Sequence, residues 1–278
     1  MELQITTLIE DTGDEQGQYL CEHGLSMYIE FDGKNILFDT GQTGDAVKNA
    51  EKIGKSLQGV DTMIISHGHY DHSGGVKKFI GEMEQNIDMF IGKEFFRQKY
   101  KQNENGEYYY RGNDFTEEEL KDYNIKLNKI EEDVTYISDK IIILKNFKKY
   151  NDYEIIPSKF VVKENGEYVQ DQFPEELALG LITSKGLVII TGCSHAGIIN
   201  IIKTASERIH IPIYEVIGGT HLIGANDERI DQTIIEMKNM GIKKIAVSHC
   251  TGDEAVNRIE EEFKAGFVHN NTGNVIRI

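Results

Sequence analysis

Residues 66–75 read Ser-His-Gly-His-Tyr-Asp-His-Ser-Gly-Gly, directly after the apolar run Thr62-Met63-Ile64-Ile65. His67, His69, Asp71 and His72 therefore fall within six positions on a loop leaving a strand. Imidazole nitrogen and carboxylate oxygen are the ligands that borderline divalent metals such as zinc prefer. Four of them on one short loop converge without long-range folding. Turn geometry by itself asks for no histidine, so a metal site is expected here.

Three later histidines each stand just beyond an apolar run. His195 lies in Thr191-Gly192-Cys193-Ser194-His195-Ala196-Gly197, His221 in Gly218-Gly219-Thr220-His221-Leu222, and His249 in Ser248-His249-Cys250. In layered α/β folds, ligands gather outside the carboxyl ends of strands, where loops from separate strands meet. One such histidine alone is more often structural; together they point to a shared site. Asp39, in Ile36-Leu37-Phe38-Asp39-Thr40-Gly41, also ends a strand. It either orients a ligand imidazole through the ring N–H or is a turn aspartate before Gly41. His23, His210 and His269 lack such a setting and read as surface or packing residues.

Short β-branched runs predict strands at 3–9, 25–31, 35–39, 62–66, 87–91, 179–184, 187–191, 213–217 and 243–248. Apolar residues at helical spacing predict helices at 197–209, 227–240 and 253–264, with Thr251 and Glu254 placed as a capping box on the last. A shorter helix is expected at 73–83. Early strands followed by helix–strand alternation predict a mixed α/β fold, two sheets packed together with helices outside, over a single domain spanning 1–278. Residues 93–176 differ in texture, rich in tyrosine and charge, and carry Glu-Asn-Gly-Glu-Tyr at both 104–108 and 164–168. Asn-Gly is a hairpin-turn signal. This stretch reads as an insertion of two hairpins with a helix around 116–122, a candidate lid over one face. Tyr108, Tyr109 and Tyr110 either stack on a substrate ring or are ordinary cross-strand residues.

The 278 residues carry a net charge of −16, which disfavours nucleic acid and anionic membranes as general partners. No run approaches the ~20 apolar residues of a membrane span. Cys21, Cys193 and Cys250 are odd in number and widely spaced, which suggests no disulfide framework and fits a reducing, cytoplasmic setting.

His67, His69, Asp71 and His72, with Phe38-Asp39-Thr40-Gly41 before them, resemble the His-x-His-x-Asp-His signature of the metallo-β-lactamase superfamily. The segments at 192–197 and 218–222 look like a branch named for a dihydropterin–ribofuranosylaminobenzene phosphate synthase. The resemblance implies a four-layer αββα sandwich, two mixed sheets flanked by helices, with one or two metals at the sheet edges. It implies His67, His69 and His195 as ligands of a first metal, and Asp71, His72 and His249 as ligands of a second. Where many members carry a bridging aspartate, this chain has Cys193, either a thiolate ligand or a small packing residue.

The expected function is a metal-dependent hydrolase of a small phosphate ester or phosphodiester, with a pterin or ribose-phosphate character implied by the branch. Two zinc ions are the expected cofactor, iron or manganese being alternatives. Asp71 would also orient the attacking hydroxide, and His221, with a near-neutral pKa, would donate a proton to the leaving group. The competing expectations are a di-iron redox protein and a non-catalytic metal or ligand sensor.

Overall fold

The computed structural model describes residues 2–83 and 86–278. Two seven-stranded sheets form the core. The first runs, from edge to edge, Val275–Arg277, Gln4–Ile9, Ser26–Phe31, Lys34–Phe38, Thr62–Ile64, Ile87–Gly92, Ile125–Ile130. The second runs Phe267–His269, Lys244–Val247, Ile213–Gly218, Gly186–Thr191, Ala178–Thr183, Ile141–Leu144, Val134–Ser138. Both are mixed. Lys34–Phe38 pairs parallel to Thr62–Ile64, and Gly186–Thr191, Ile213–Gly218 and Lys244–Val247 run parallel in turn.

Burial explains the layering. Along Leu187-Val188-Ile189-Ile190 every side chain is buried, so the run reads as uniformly apolar rather than alternating. Leu187 and Ile189 pack toward helices Ile198–Ile209, Asp227–Asn239 and Asp253–Phe263. Val188 and Ile190 instead join Ile5, Ile29, Phe38 and Ile64 between the sheets. A third apolar layer, with Leu37 and Met63 on one side and Ala50 and Phe79 on the other, seats helices Ala46–Ile53 and Val76–Glu82. The result is the expected four-layer αββα sandwich. No helix among the described residues is long and apolar enough to cross a membrane.

Three expectations need correction. The stretch 93–176 does not all stand outside the core, because Ile125–Ile130, Val134–Ser138 and Ile141–Leu144 are strands of the two main sheets. Its charged average masked the four-residue run Ile141-Ile142-Ile143-Leu144, which is wholly buried. The two hairpins do form, as a separate sheet ordered Glu167–Gln170, Phe160–Glu164, Lys99–Gln102, Tyr108–Tyr110. There the repeated pentapeptides turn differently. Asn165 and Gly166, both left-handed, make a two-residue turn, whereas Asn103 Oδ1 accepts from the amides of Asn105 and Glu107 to hold a longer one.

The second correction is the capping box at Thr251 and Glu254. Helix Asp253–Phe263 starts instead from Gly252, at φ 79°, with no side-chain cap. The Thr251 hydroxyl donates to the carbonyl of Ser248 (2.9 Å), inside the turn that carries His249. A capping box does form at Thr116 and Glu119, on helix Glu117–Leu120. The third is the unexpected helix Ala46–Ile53, whose eight residues gave too short a pattern to read.

Candidate metal centre

Parallel pairing brings the carboxyl ends of Lys34–Phe38 and Thr62–Ile64 to one edge of the first sheet. The ends of Gly186–Thr191, Ile213–Gly218 and Lys244–Val247 are likewise level, with Thr191 opposite Gly218 and Gly218 opposite Val247. The five loops that follow meet there. Asp39, Ser194, His221 and His249 all take left-handed φ, of 58°, 63°, 49° and 53°. Such conformations cost about 1–3 kcal/mol each in non-glycine residues, and their concentration here marks a functional site. Two close approaches need glycine: a Cβ on Gly192 would lie 2.1 Å from Ser66 Oγ, and one on Gly68 would lie 2.6 Å from the Phe95 carbonyl.

Two ligand clusters result. His67, His69 and His195 present ring nitrogens within 4.8 Å of one another, as do the donor atoms of Asp71, His72, Cys193 and His249. His67 Nε2 stands 3.1 Å from His69 Nδ1, and His72 Nε2 lies 3.2 Å from both His249 Nε2 and Cys193 Sγ. Asp71 Oδ2 is 3.3 Å from His249 Nε2. All seven residues are buried. Cys193, left open as ligand or packing residue, thus aims its sulfur into the second cluster.

The donor set fits a divalent metal on two grounds. Both ring nitrogens of buried His195 lack any hydrogen-bond partner, which a folded protein tolerates where a further ligand belongs. Burial, reinforced by neighbouring histidines, also pushes His67, His69 and His195 well below the usual imidazole pKa, so their lone pairs are free. Burial opposes ionisation of Asp71. The His249 hydrogen bond and the surrounding rings outweigh it, so its carboxyl lies well below the ordinary range.

The supports are as specific as the ligands. Asp39 Oδ2 meets His72 Nδ1 at 2.6 Å and accepts from Ser66 Oγ at 2.7 Å, while Oδ1 accepts from the Ser66 amide at 2.7 Å. Asp39 is therefore an orienting carboxylate, turning His72 Nε2 toward the cluster. Asp11 does the same for His249, with Oδ1 2.6 Å from Nδ1. Glu176 accepts from the amides of His195 and Ala196, both at 2.7 Å. Its own pKa, raised mainly by burial, stands at about 8. The His195 ring stacks on Phe173, with centroids 3.8 Å apart.

Besides Asp11 and Glu176, sequence reasoning missed two further groups. His23, read as a surface residue, lines the cleft over the centre, with Nδ1 2.9 Å from Asp11 and Nε2 3.3 Å from Asp71. It sits at the start of Ser26–Phe31, which runs antiparallel to its neighbours and so begins at the site's edge. The other is Lys99, fully buried beneath the histidine loop and paired with Asp171 at 2.5 Å and Glu175 at 2.6 Å. His210 and His269 are exposed and away from the cleft lining.

The cleft has a volume of about 780 Å³. Phe160, Pro157, Ile223 and Ala225 give it an apolar wall, and Lys101, Arg111, Lys159 and Arg229 give it positive charge. His221 faces it, its ring centroid 4.5 Å from that of His195. Burial, then Arg229, lowers the His221 pKa to about 4, not the near-neutral value expected from its residue type. Tyr108, Tyr109 and Tyr110 are absent from the lining. Tyr108 stacks on Tyr168 at 3.7 Å, Tyr110 packs on its cross-strand partner Tyr100, and Tyr109 pairs with Lys101, so all three are engaged within the hairpin sheet.

Comparison with known proteins agrees with this fold. The family model described as Metallo-beta-lactamase superfamily matches residues 20–83, which hold Asp39 and the histidine loop. A protein of Methanocaldococcus jannaschii named 7,8-dihydropterin-6-methyl-4-(beta-D-ribofuranosyl)-aminobenzene-5'-phosphate synthase is 34% identical, over 99% of this chain and 96% of its own length. A solved structure described as a metal-dependent hydrolase of the beta-lactamase superfamily is 31% identical, with TM-score 0.86 and 99% of each chain covered. A metallo-beta-lactamase fold protein of Bacillus subtilis, at 12% identity and TM-score 0.63 over 100% of this chain and 99% of its own, shares the fold. The chain belongs to the metallo-β-lactamase superfamily, whose fold implies divalent-metal binding.

Proposed function

We propose that this protein is a metal-dependent hydrolase of a small phosphate ester or phosphodiester with a flat ring on its organic part. The observation that carries the reading is the pairing of two ligand clusters with a cationic cleft in a chain of net charge −16. His67, His69 and His195 would hold one divalent cation, and Asp71, His72 and His249 with the Cys193 sulfur a second, zinc being the choice the donor set favours. Bound there, such ions supply a Lewis acid for phosphoryl oxygens and an acidified water.

The protein's own groups bind and orient. Lys101, Arg111, Lys159 and Arg229 attract an anionic substrate against the repulsion of the acidic surface. Phe160, beside His69, His195 and His221, offers its face to a ring such as a pterin. His221, held neutral, donates a hydrogen bond to the leaving oxygen rather than acting as a charged imidazolium. The hairpin sheet, which supplies Lys101 and Phe160, shapes the cleft as a lid would.

A screen of metallated protein against phosphodiesters, phosphomonoesters, thioesters and lactams tests the reading. Turnover of a phosphate ester, abolished by Asp71→Ala, is expected. Turnover confined to lactams or thioesters, or near-normal hydrolysis by Asp71→Ala, contradicts it. The relative named as a synthase favours a second reading, in which the same cleft passes a group to an aromatic amine instead of water. Product analysis with and without added aniline separates the two.

A further inference from the structure

We propose that the cleft contains a second anion subsite, formed by Lys101, Arg111, Lys159 and Arg229, that holds a phosphate on the non-reacting end of the substrate. The proposal rests on the cleft's being the substrate site and narrows the substrate to a small molecule with two phosphate groups, one reacting and one held.

The four cations gather in one cleft of a chain that is acidic overall. Acidic residues outnumber basic ones 46 to 30, and Arg97, Arg208 and Arg258 each reach a carboxylate. Among the described residues, Lys101, Arg111, Lys159 and Arg229 form no ion pair, although all four line one cleft. Asp71, in the second metal cluster, is the one carboxylate in that lining. Arg111 and Arg229 each also carry a buried Nε with no hydrogen-bond partner. A buried guanidinium N–H left unpaired costs free energy that an arriving oxyanion recovers.

Their placement separates them from the ligands. Arg111 is fixed by Nη1, which donates to the Tyr70 hydroxyl at 3.0 Å, and by its seat over the Tyr70 ring. Lys101 comes from the adjoining strand, and its ammonium pKa is lowered by burial, then by Lys159 and Arg111. Those three cations repel one another until an anion sits among them. Arg229 enters from the first turn of helix Asp227–Asn239, where Glu154 acts on it only at a distance. Divalent cations held by the two clusters would already make the floor positive against its single carboxylate. The rim would then be surplus to what one reacting phosphoryl group needs, and two planar forks and two ammonium groups lining one cleft suit a phosphate.

Calorimetric titration of the full chain with inorganic phosphate tests this, in metal-loaded and chelator-stripped forms whose circular dichroism agrees. Two phosphates per chain are expected with metal and one without. In the stripped form, Arg111→Gln and the exposed Lys159→Gln should each weaken binding at least fivefold, and Lys185→Gln, exposed and outside the cleft lining, should leave it within twofold. Failure of stripped protein to bind phosphate, indifference to both rim variants, or tighter binding of acetate than phosphate overturns the subsite. Absence of hydrolysis by the loaded protein would defeat the hydrolase reading and leave this binding result standing.

Discussion

At the scale of single residues, the candidate ligands were readable and most of their supports were not. Three histidines and Asp71 announce themselves because they share one loop, and Asp39 because it ends a neighbouring strand. Asp11 and His249 are 238 positions apart, so nothing local in the chain reveals that one aims the other. His23 escaped for the same reason. Asp39→Ala removes the acceptor of His72 Nδ1 and frees that ring to rotate, so metal affinity should fall about 10–100-fold. Chelator competition on the folded variant measures this, and unchanged affinity would show that His72 needs no such partner.

At the scale of elements, the strands flanking the site were legible because burial on both faces makes them wholly apolar. Ile125–Ile130 was not, since an edge strand carries lysine and asparagine between its apolar residues. The triad under the histidine loop was equally hidden, because Lys99, Asp171 and Glu175 become one unit only when the hairpin sheet docks. Lys99→Met leaves two buried carboxylates uncompensated and should cost about 3–5 kcal/mol in denaturant unfolding. A loss under 1 kcal/mol would mean that the triad is not holding the sheet against the loop.

Strand Ile213–Gly218 carries a second buried charge problem. Neither carboxyl oxygen of Glu215 has a hydrogen-bond partner, and burial raises its pKa above the ordinary 4.5, against the pull of Lys244 and Lys185. The folded chain therefore holds this proton more tightly than the unfolded one. The stabilisation is full below the ordinary value and is lost as pH rises through the raised one. As pH rises above the ordinary value of 4.5, the denaturation midpoint of the native chain should fall more steeply than that of Glu215→Gln. Parallel profiles would show that Glu215 is ionised at no cost.

At the scale of the whole molecule, the layered sandwich exists to bring strand ends from two sheets to one edge. The alternation of strands and helices disclosed that plan. The closing of the first sheet by Val275–Arg277 against Gln4–Ile9 stayed hidden, because three residues carry no period. Metal is expected to tie the two sheets together, since His67 and His69 come from one and His195 from the other. At a hundredfold excess over its dissociation constant, one bound ion stabilises by about 2.7 kcal/mol. Stripping it should lower Tm by roughly 5 °C. A scanning calorimeter reads this directly, and an unchanged Tm would mean that the clusters bind nothing in the folded state.

The most direct measurement is the metal stoichiometry of the purified chain beside His195→Ala and His249→Ala. Two divalent ions per native chain are expected, with about one retained by each variant. A native chain that takes up no metal, or variants that keep both ions, would contradict a dinuclear centre built from these two clusters.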